Sequence, residues 1–208
     1  MFDLLVRGGT LPDGRVADIA ITGDRIVATG RVEGAAREVI DATGDLVSPP
    51  FVDPHFHLDA TLSYGLPRVN ASGTLLEGIA LWGELREIAT VEEMVARALT
   101  YCDWAASMGL LAIRSHVDTT PDHLRTVEAM LEVKARVAGY IDLQLVAFPQ
   151  DGLYRARTGR ENLIRALDLG LDVVGGIPHF ERTMADGADS LRDLCRIAAD
   201  RGGASCRR

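Results

Sequence analysis

The chain has 208 residues, 47% hydrophobic and 25% charged, enough to bury a core, and by length it holds one or two domains. A net charge of −8 argues against a nucleic-acid binder, which carries a basic face, and favours a soluble protein without naming its ligand. Cys102, Cys195 and Cys206 are too few and too scattered for a disulfide framework or a paired-cysteine metal site, so a reducing cytoplasm is the expected location.

The opening "MFDLLVRGG" has an acid at Asp3 and only a short apolar run, unlike a secretory signal, and no apolar stretch is long enough to span a bilayer. "FDLLVRGG", "VADIAITG", "RIVATG" and "REVIDATG" each join strand-forming residues to glycine or aspartate punctuation, which predicts a small β-sheet module over residues 1–47. Near Ser48 the pattern changes. "LVSPPFVDP", "LLAIRSHVD", "DLQLVAF" and "DVVGGIPHF" read as strands buried on both faces.

Helix signals lie between them. Thr90 and Glu93 form a T-x-x-E capping box, Val91 to Cys102 carry helical apolar spacing, and Gly109 is a stop. Thr120 and Pro121 read as N-cap and first residue of the next helix, with Leu124, Val127, Met130 and Leu131 inward and Gly139 at its end. A shorter helix runs from about Glu161 to Leu169, and another starts near Ser190 with Leu191, Leu194, Cys195 and Ala198 inward. The alternation predicts a parallel sheet with helices outside it. No glycine-rich phosphate fingerprint follows any strand, so a nucleotide-cofactor reading has no support.

Two of the five histidines, His55 and His57, sit together in "VDPHFHLD". Residues i and i+2 of a strand share a face, so the pair projects together, roughly 6 to 7 Å apart at the backbone. Imidazoles so spaced suit one metal ion, each nitrogen at about 2 Å. Two solvent-facing histidines at a strand end are the other reading. Pro54 removes a ladder donor, which places the pair at the frayed C-terminal end of the strand. Active sites of parallel α/β barrels sit at that end.

In order along the chain, "PPFVDPHFHLD", "SGTLLEGI", "RSHVD", "MLEVKARVAGYIDLQLVAFPQDG" and "DVVGGIPHFE" closely resemble the cytosine-deaminase branch of the metal-dependent amidohydrolase superfamily. The HxH motif marks the superfamily, while "FPQDG" and "IPHFE" narrow it to the branch, beside which lie aminotriazine and other cyclic-amide hydrolases. The resemblance implies an α/β fold: the N-terminal half of a (β/α)8 TIM-like barrel over residues 48–208, preceded by a small β-sandwich segment over 1–47. It implies one divalent ion, Fe2+ or Zn2+, that lowers the pKa of water, with a carboxylate moving protons, to convert cytosine and water to uracil and ammonia.

On the resemblance His55 and His57 are metal ligands, and Gln150 is the substrate glutamine, its amide matching the N–H and C=O edge of a pyrimidine lactam. Phe148 walls the ring or belongs to the core, and Leu75 contributes backbone contacts or simply starts a helix. His116 is either a group behind the ligands or a packed histidine hydrogen-bonded to Asp118; the structural role is favoured. His179, at the end of the fourth strand, lines the pocket or caps the strand, and the lack of a lysine there fits a single ion. His123 is expected in solvent.

The family continues with a fifth strand bearing a third ligand and the proton-shuttling glutamate. Here "RIAADRGG" is followed by "ASCRR". The expectation is a C-terminally truncated barrel, of deaminase ancestry but catalytically incompetent as it stands. A half-barrel that pairs with itself or with a separate second half is a further possibility. The expected partners are a small nucleobase-like substrate and, in a full-length form, further copies of the chain, with neither nucleic acid nor membrane.

Overall fold

Four strands fill the first fifty residues: β1 (Phe2–Thr10), β2 (Val16–Thr22), β3 (Arg25–Gly30) and β4 (Ala36–Asp41). They form one sheet in the order β3-β2-β1-β4, with β1 antiparallel to β2 and parallel to β4. Leu5, Ala20 and Val32 make its small core, against which Phe2, Ala28 and Ala36 pack. Asp18 holds the sheet end together by accepting the Gly8 and Val32 N–H groups at 3.0 and 3.2 Å. The computed structural model describes residues 1–202 and resolves into a unit Met1–Pro50 and a second unit that begins at Phe51.

The second unit carries a four-stranded sheet, β5 (Phe51–Phe56), β6 (Leu110–Asp118), β7 (Asp142–Phe148) and β8 (Val173–Val174), in sequential order and parallel throughout. The intervening helices are α1 (Leu75–Ile88), α2 (Val91–Ser107), α3 (Arg125–Val137) and α4 (Gly159–Leu169), and α5 (Met184–Asp200) follows β8. This is the α/β, half-barrel arrangement that the alternation predicts. Met94, Ala98 and Cys102 of α2 and Val127, Met130 and Val133 of α3 meet Ile113 and Val117 of β6 and Leu143, Leu145 and Ala147 of β7 in one buried core.

Several sequence expectations are corrected. The strands are not all buried on both faces. In β6, Ile113, Ser115 and Val117 are buried while Leu111 and Arg114 are exposed, because the helices cover only one face. On the open face the Arg114 Nε donates to Gln144 at 2.6 Å. Thr120 and Pro121 do not start α3. The Thr120 hydroxyl accepts the Asp151 N–H at 3.2 Å instead, and the helix begins at Arg125 after Leu124, whose φ is 49°. It ends at Val137 with Ala138 as C-cap, not at Gly139.

α5 begins well before Ser190, capped by the Thr183 hydroxyl on the Asp186 N–H at 3.0 Å. Its first turn carries no apolar stripe. Instead Gly187 lets the helix approach the preceding turn, where an added Cβ would lie 2.6 Å from the Pro178 oxygen. α1 is an added helix that apolar periodicity does not disclose, since it buries only Leu81, Leu85 and Arg86. β8 is short, and His179 lies on a 3₁₀ turn, Pro178–Phe180, rather than at a strand end. Cys102 and Cys195 are free thiols. Cys206 and the "ASCRR" ending fall outside the described residues. Among the described residues no helix is long and apolar enough to cross a membrane.

Candidate metal centre

Three histidines converge at the C-terminal ends of β5 and β6. The two strands pair in parallel, with Phe56 opposite Ser115. Phe56 stacks on Tyr101 of α2, ring centroids 4.3 Å apart, so it faces the helices. Its neighbours His55 and His57 therefore take the opposite face, as strand alternation requires. Ser115 and Val117 of β6 are buried, and His116 between them shares the histidines' face. The join is fixed by the Leu58 N–H, which donates to the Ser115 hydroxyl at 2.9 Å.

One ring nitrogen from each of His55, His57 and His116 lies within 4.8 Å of the others. His55 stacks on His116 at 4.0 Å between centroids, and His57 stands 5.5 Å from each. Phe148 at the end of β7 meets His57 and His116 edge to face, at 5.7 and 5.2 Å. Burial, and then the neighbouring His55, lower the pKa of His57. Burial, His55 and His57 bring that of His116 down to about 4. Both shifts favour the neutral imidazole, which is the state a metal ligand needs. The donor set fits a borderline divalent ion such as zinc or iron(II). Among the described residues the cluster contains no carboxylate.

The expected hydrogen bond from His116 to Asp118 is not formed. The Asp118 carboxylate accepts from Arg86 Nη1 at 2.6 Å, Trp82 Nε1 at 2.9 Å and the Thr120 N–H at 2.8 Å. The His116 Nδ1 is buried and has no hydrogen-bond partner. Asp118 is instead the hub of a buried network that apolar periodicity cannot disclose. Its own N–H donates to Asp59 Oδ2 at 2.9 Å, and Arg86 Nη2 reaches Asp151 at 2.5 Å. Burial pushes the Asp59 carboxyl up to about 7. The sequence did hold one signal of this network. His57-Leu58-Asp59 and His116-Val117-Asp118 repeat the same H-x-D at two consecutive strand ends.

Gln150 is half-buried in the turn after β7, two residues beyond Phe148, and the adjacent Asp151 is tethered by Arg86 and Thr120. Phe148 is buried, and its ring packs edge to face with His57 and His116. Leu75 opens α1 and is 78% exposed. His179 is exposed on its 3₁₀ turn and is outside the cluster. Glu181 next to it accepts the N–H groups of Leu153, Tyr154 and Arg155, at 2.6, 3.2 and 3.0 Å, and so fixes the segment that follows Gln150. His123 is exposed, as expected.

Comparison with known proteins follows the same lines. The profile described as "Amidohydrolase family" matches residues 38–204. N-isopropylammelide isopropyl amidohydrolase of Pseudomonas sp. (strain ADP) is 34% identical over 205 residues, covering 93% of this chain and 49% of the relative. Among solved structures, 5-methylcytosine deaminase from Klebsiella pneumoniae with 5-fluorocytosine superposes with a TM-score of 0.90 at 39% identity, over 96% of this chain and 49% of that one. N-isopropylammelide isopropylaminohydrolase from Burkholderia multivorans ATCC 17616 gives a TM-score of 0.77 at 28% identity, over 97% of this chain and 51% of that one. The chain spans about half the length of each of these relatives.

Proposed function

The chain belongs to the amidohydrolase family, a family of metal-dependent hydrolases, and from that premise we propose that it carries the metal-binding and ring-recognising part of a deaminase acting on a pyrimidine-type ring. The exocyclic amino group of a cytosine-like substrate is the bond hydrolysed, yielding uracil and ammonia. The observation that supports this most is the convergence of His55, His57 and His116 beside Phe148 and the Gln150 turn.

His55 and His57 hold a single divalent ion, Fe2+ or Zn2+. When bound, such an ion supplies Lewis acidity and an activated water. The protein's own residues do the rest of what this half can do. Phe148 packs edge to face with two imidazoles and closes the apolar side of the site. Gln150 offers an acceptor and a donor on one planar amide, matching the lactam edge of the ring. A pocket that needs both halves of that match rejects rings lacking either one. Arg86 and Thr120 hold the neighbouring Asp151, so the amide is presented from a fixed turn rather than a loose loop.

The 34% identity to an N-isopropylammelide isopropyl amidohydrolase favours a second reading, in which the ring is an aminotriazine. The zinc-loaded chain, titrated with cytosine and with N-isopropylammelide in a calorimeter, separates the two. We expect cytosine to bind, and Gln150→Ala to weaken it at least tenfold with the metal content unchanged. Equal cytosine affinity with and without the amide would remove Gln150 from the site, and a preference for N-isopropylammelide would favour the triazine reading. Among the described residues no carboxylate joins the histidine cluster to move a proton, so ammonia release by the 208-residue chain is expected to stay at background. Release at an enzymatic rate would place the protonating group within these residues.

A further inference from the structure

Between α1 and the segments that follow β6, β7 and β8 lies an open cleft of about 660 Å³. Among the described residues, neither the clustered histidines nor Phe148 nor Gln150 lines it. Arg155, Arg157 and Arg182 supply one part of its wall, and Leu76, Ile79 and Phe180 supply an apolar part. Leu76 is 71% exposed, so that apolar part is accessible rather than packed away. Small-molecule sites are concavities of roughly 300–1,000 Å³, largely apolar with a few polar groups that fix orientation.

The positive charge on this wall is not cancelled. Two carboxylates line the cleft, Asp122 and Asp151. Asp151 is already ion-paired with Arg86 at 2.5 Å. Asp122 accepts from the Thr158 hydroxyl and, at 2.9 Å, from Asn162 Nδ2. Arg155 donates to the Phe180 carbonyl at 3.3 Å and lies over that ring, 4.6 Å from its centroid, which leaves its charge without a counter-ion. Further along, Arg160 and Arg192 pair with Asp193 and Asp189, whereas Arg157 and Arg182 have no ion-pair partner among the described residues. Even if Asp122 offsets one guanidinium, two positive charges remain, in a chain whose net charge is −8. The segment bearing Arg155 is also held in place, because the Glu181 carboxylate accepts the N–H groups of Leu153, Tyr154 and Arg155. A charged wall so fixed is partly organised for a ligand before one arrives.

We propose that this cleft is a second binding site, separate from the histidine cluster, for a phosphate monoester that carries an apolar group. A phosphate monoester has a charge of about −1.5 to −2 near pH 7, which matches the uncompensated guanidinium charge, and its oxygens suit the paired N–H donors of arginine. Leu76, Ile79 and Phe180 receive the apolar group. An occupant touches α1 on one side and the segments after β7 and β8 on the other. The proposal does not depend on the metal centre or on the ring that the histidine site recognises.

Calorimetry on the 208-residue chain compares phenyl phosphate with inorganic phosphate and with phenol. We expect one phenyl phosphate per chain, an affinity that falls as salt is raised, and binding of the other two weaker by about tenfold or more. Arg157→Gln/Arg182→Gln is expected to weaken phenyl phosphate by about tenfold or more. Leu76→Ser is expected to weaken phenyl phosphate and to leave inorganic phosphate unchanged. All three positions are exposed, and circular dichroism checks that the variants fold. His55→Ala/His57→Ala is expected to bind phenyl phosphate as the parent chain does. Loss of binding in that histidine variant would move the anion to the metal centre and overturn the proposal. The absence of saturable phenyl phosphate binding, or an unchanged affinity in the folded double arginine variant, would overturn it as well. Inorganic phosphate bound as tightly as phenyl phosphate would exclude the apolar-bodied ligand class.

Discussion

The two units differ in how large a core their apolar side chains build. In Met1–Pro50, Val16, Ile26, Val27 and Val39 are more than half exposed, and only Leu5, Ala20 and Val32 form a buried centre. From Phe51 on, helices α2, α3 and α4 bury one face of the parallel sheet in a continuous core. The three clustered histidines are all in the second unit, at the ends of the β5 and β6 strands that pack on this core. The difference shows what a site needs. Metal ligands must be held in narrow geometry, and a sheet backed by packed helices holds them better than a sheet with little of its surface covered.

The sharpest way to break this comparison is at Arg86. Its guanidinium sits between Asp118, 1% exposed in its side chain, and Asp151. Arg86→Met leaves the Asp118 charge buried without its partner, a change expected to destabilise the second unit by about 3–5 kcal/mol. Urea unfolding followed by the fluorescence of Trp82 and Trp104 reads the loss; an unmoved midpoint would mean that water already reaches Asp118.

A slightly smaller effect contrasts the two sheets directly. Leu145 in β7 is fully buried, and Leu145→Ala should cost about 2–5 kcal/mol through lost transfer energy and a cavity. Val27 in β3 is 52% exposed, and Val27→Ala should change stability by no more than about 0.5 kcal/mol. Similar losses from the two substitutions would contradict the contrast in burial.

The smallest expected effect is one the units share. Hydrogen bonds from the Ser72 hydroxyl and N–H hold the Glu77 carboxyl at about 2, against an ordinary 4.5. The Gly8 and Val32 N–H groups lower that of Asp18. A carboxylate depressed in the folded form stays ionised where the unfolded chain already takes up a proton. Glu77 therefore stabilises α1 fully above pH 4.5, and that contribution disappears as pH falls from 4.5 towards 2. Glu77→Gln should flatten the acid limb of the second unit, and Asp18→Asn that of the first, both followed by circular dichroism. If either substitution flattened the limbs of both units together, the two would not be unfolding independently.

Much of this molecule is legible in its sequence because short-range physics writes it there. Strand alternation places His55 and His57 on one face whatever the tertiary fold, and glycine punctuation marks the four strands of the first sheet. The Thr90–Glu93 capping box needs only local backbone and forms as read. Elements whose stability comes from elsewhere are harder to read. α1 buries little beyond Leu81, Leu85 and Arg86, so it leaves a faint periodic trace. The Thr120 hydroxyl is drawn away from helix capping by Asp151, thirty-one positions further on.

The sequence by itself determines the alternating β/α order, the HxH pair and, through its motifs, the family. Only the tertiary structure decides that His116 joins them, because that depends on the parallel register of β5 against β6, which sets Phe56 opposite Ser115. It also decides that Asp118 serves Arg86 and Trp82 rather than His116, since α1 brings both donors to the strand end. Ligand types and their spacing along one strand are local properties of the chain. The meeting of side chains from different strands and helices is set by sheet register and helix packing, which no stretch of sequence specifies alone.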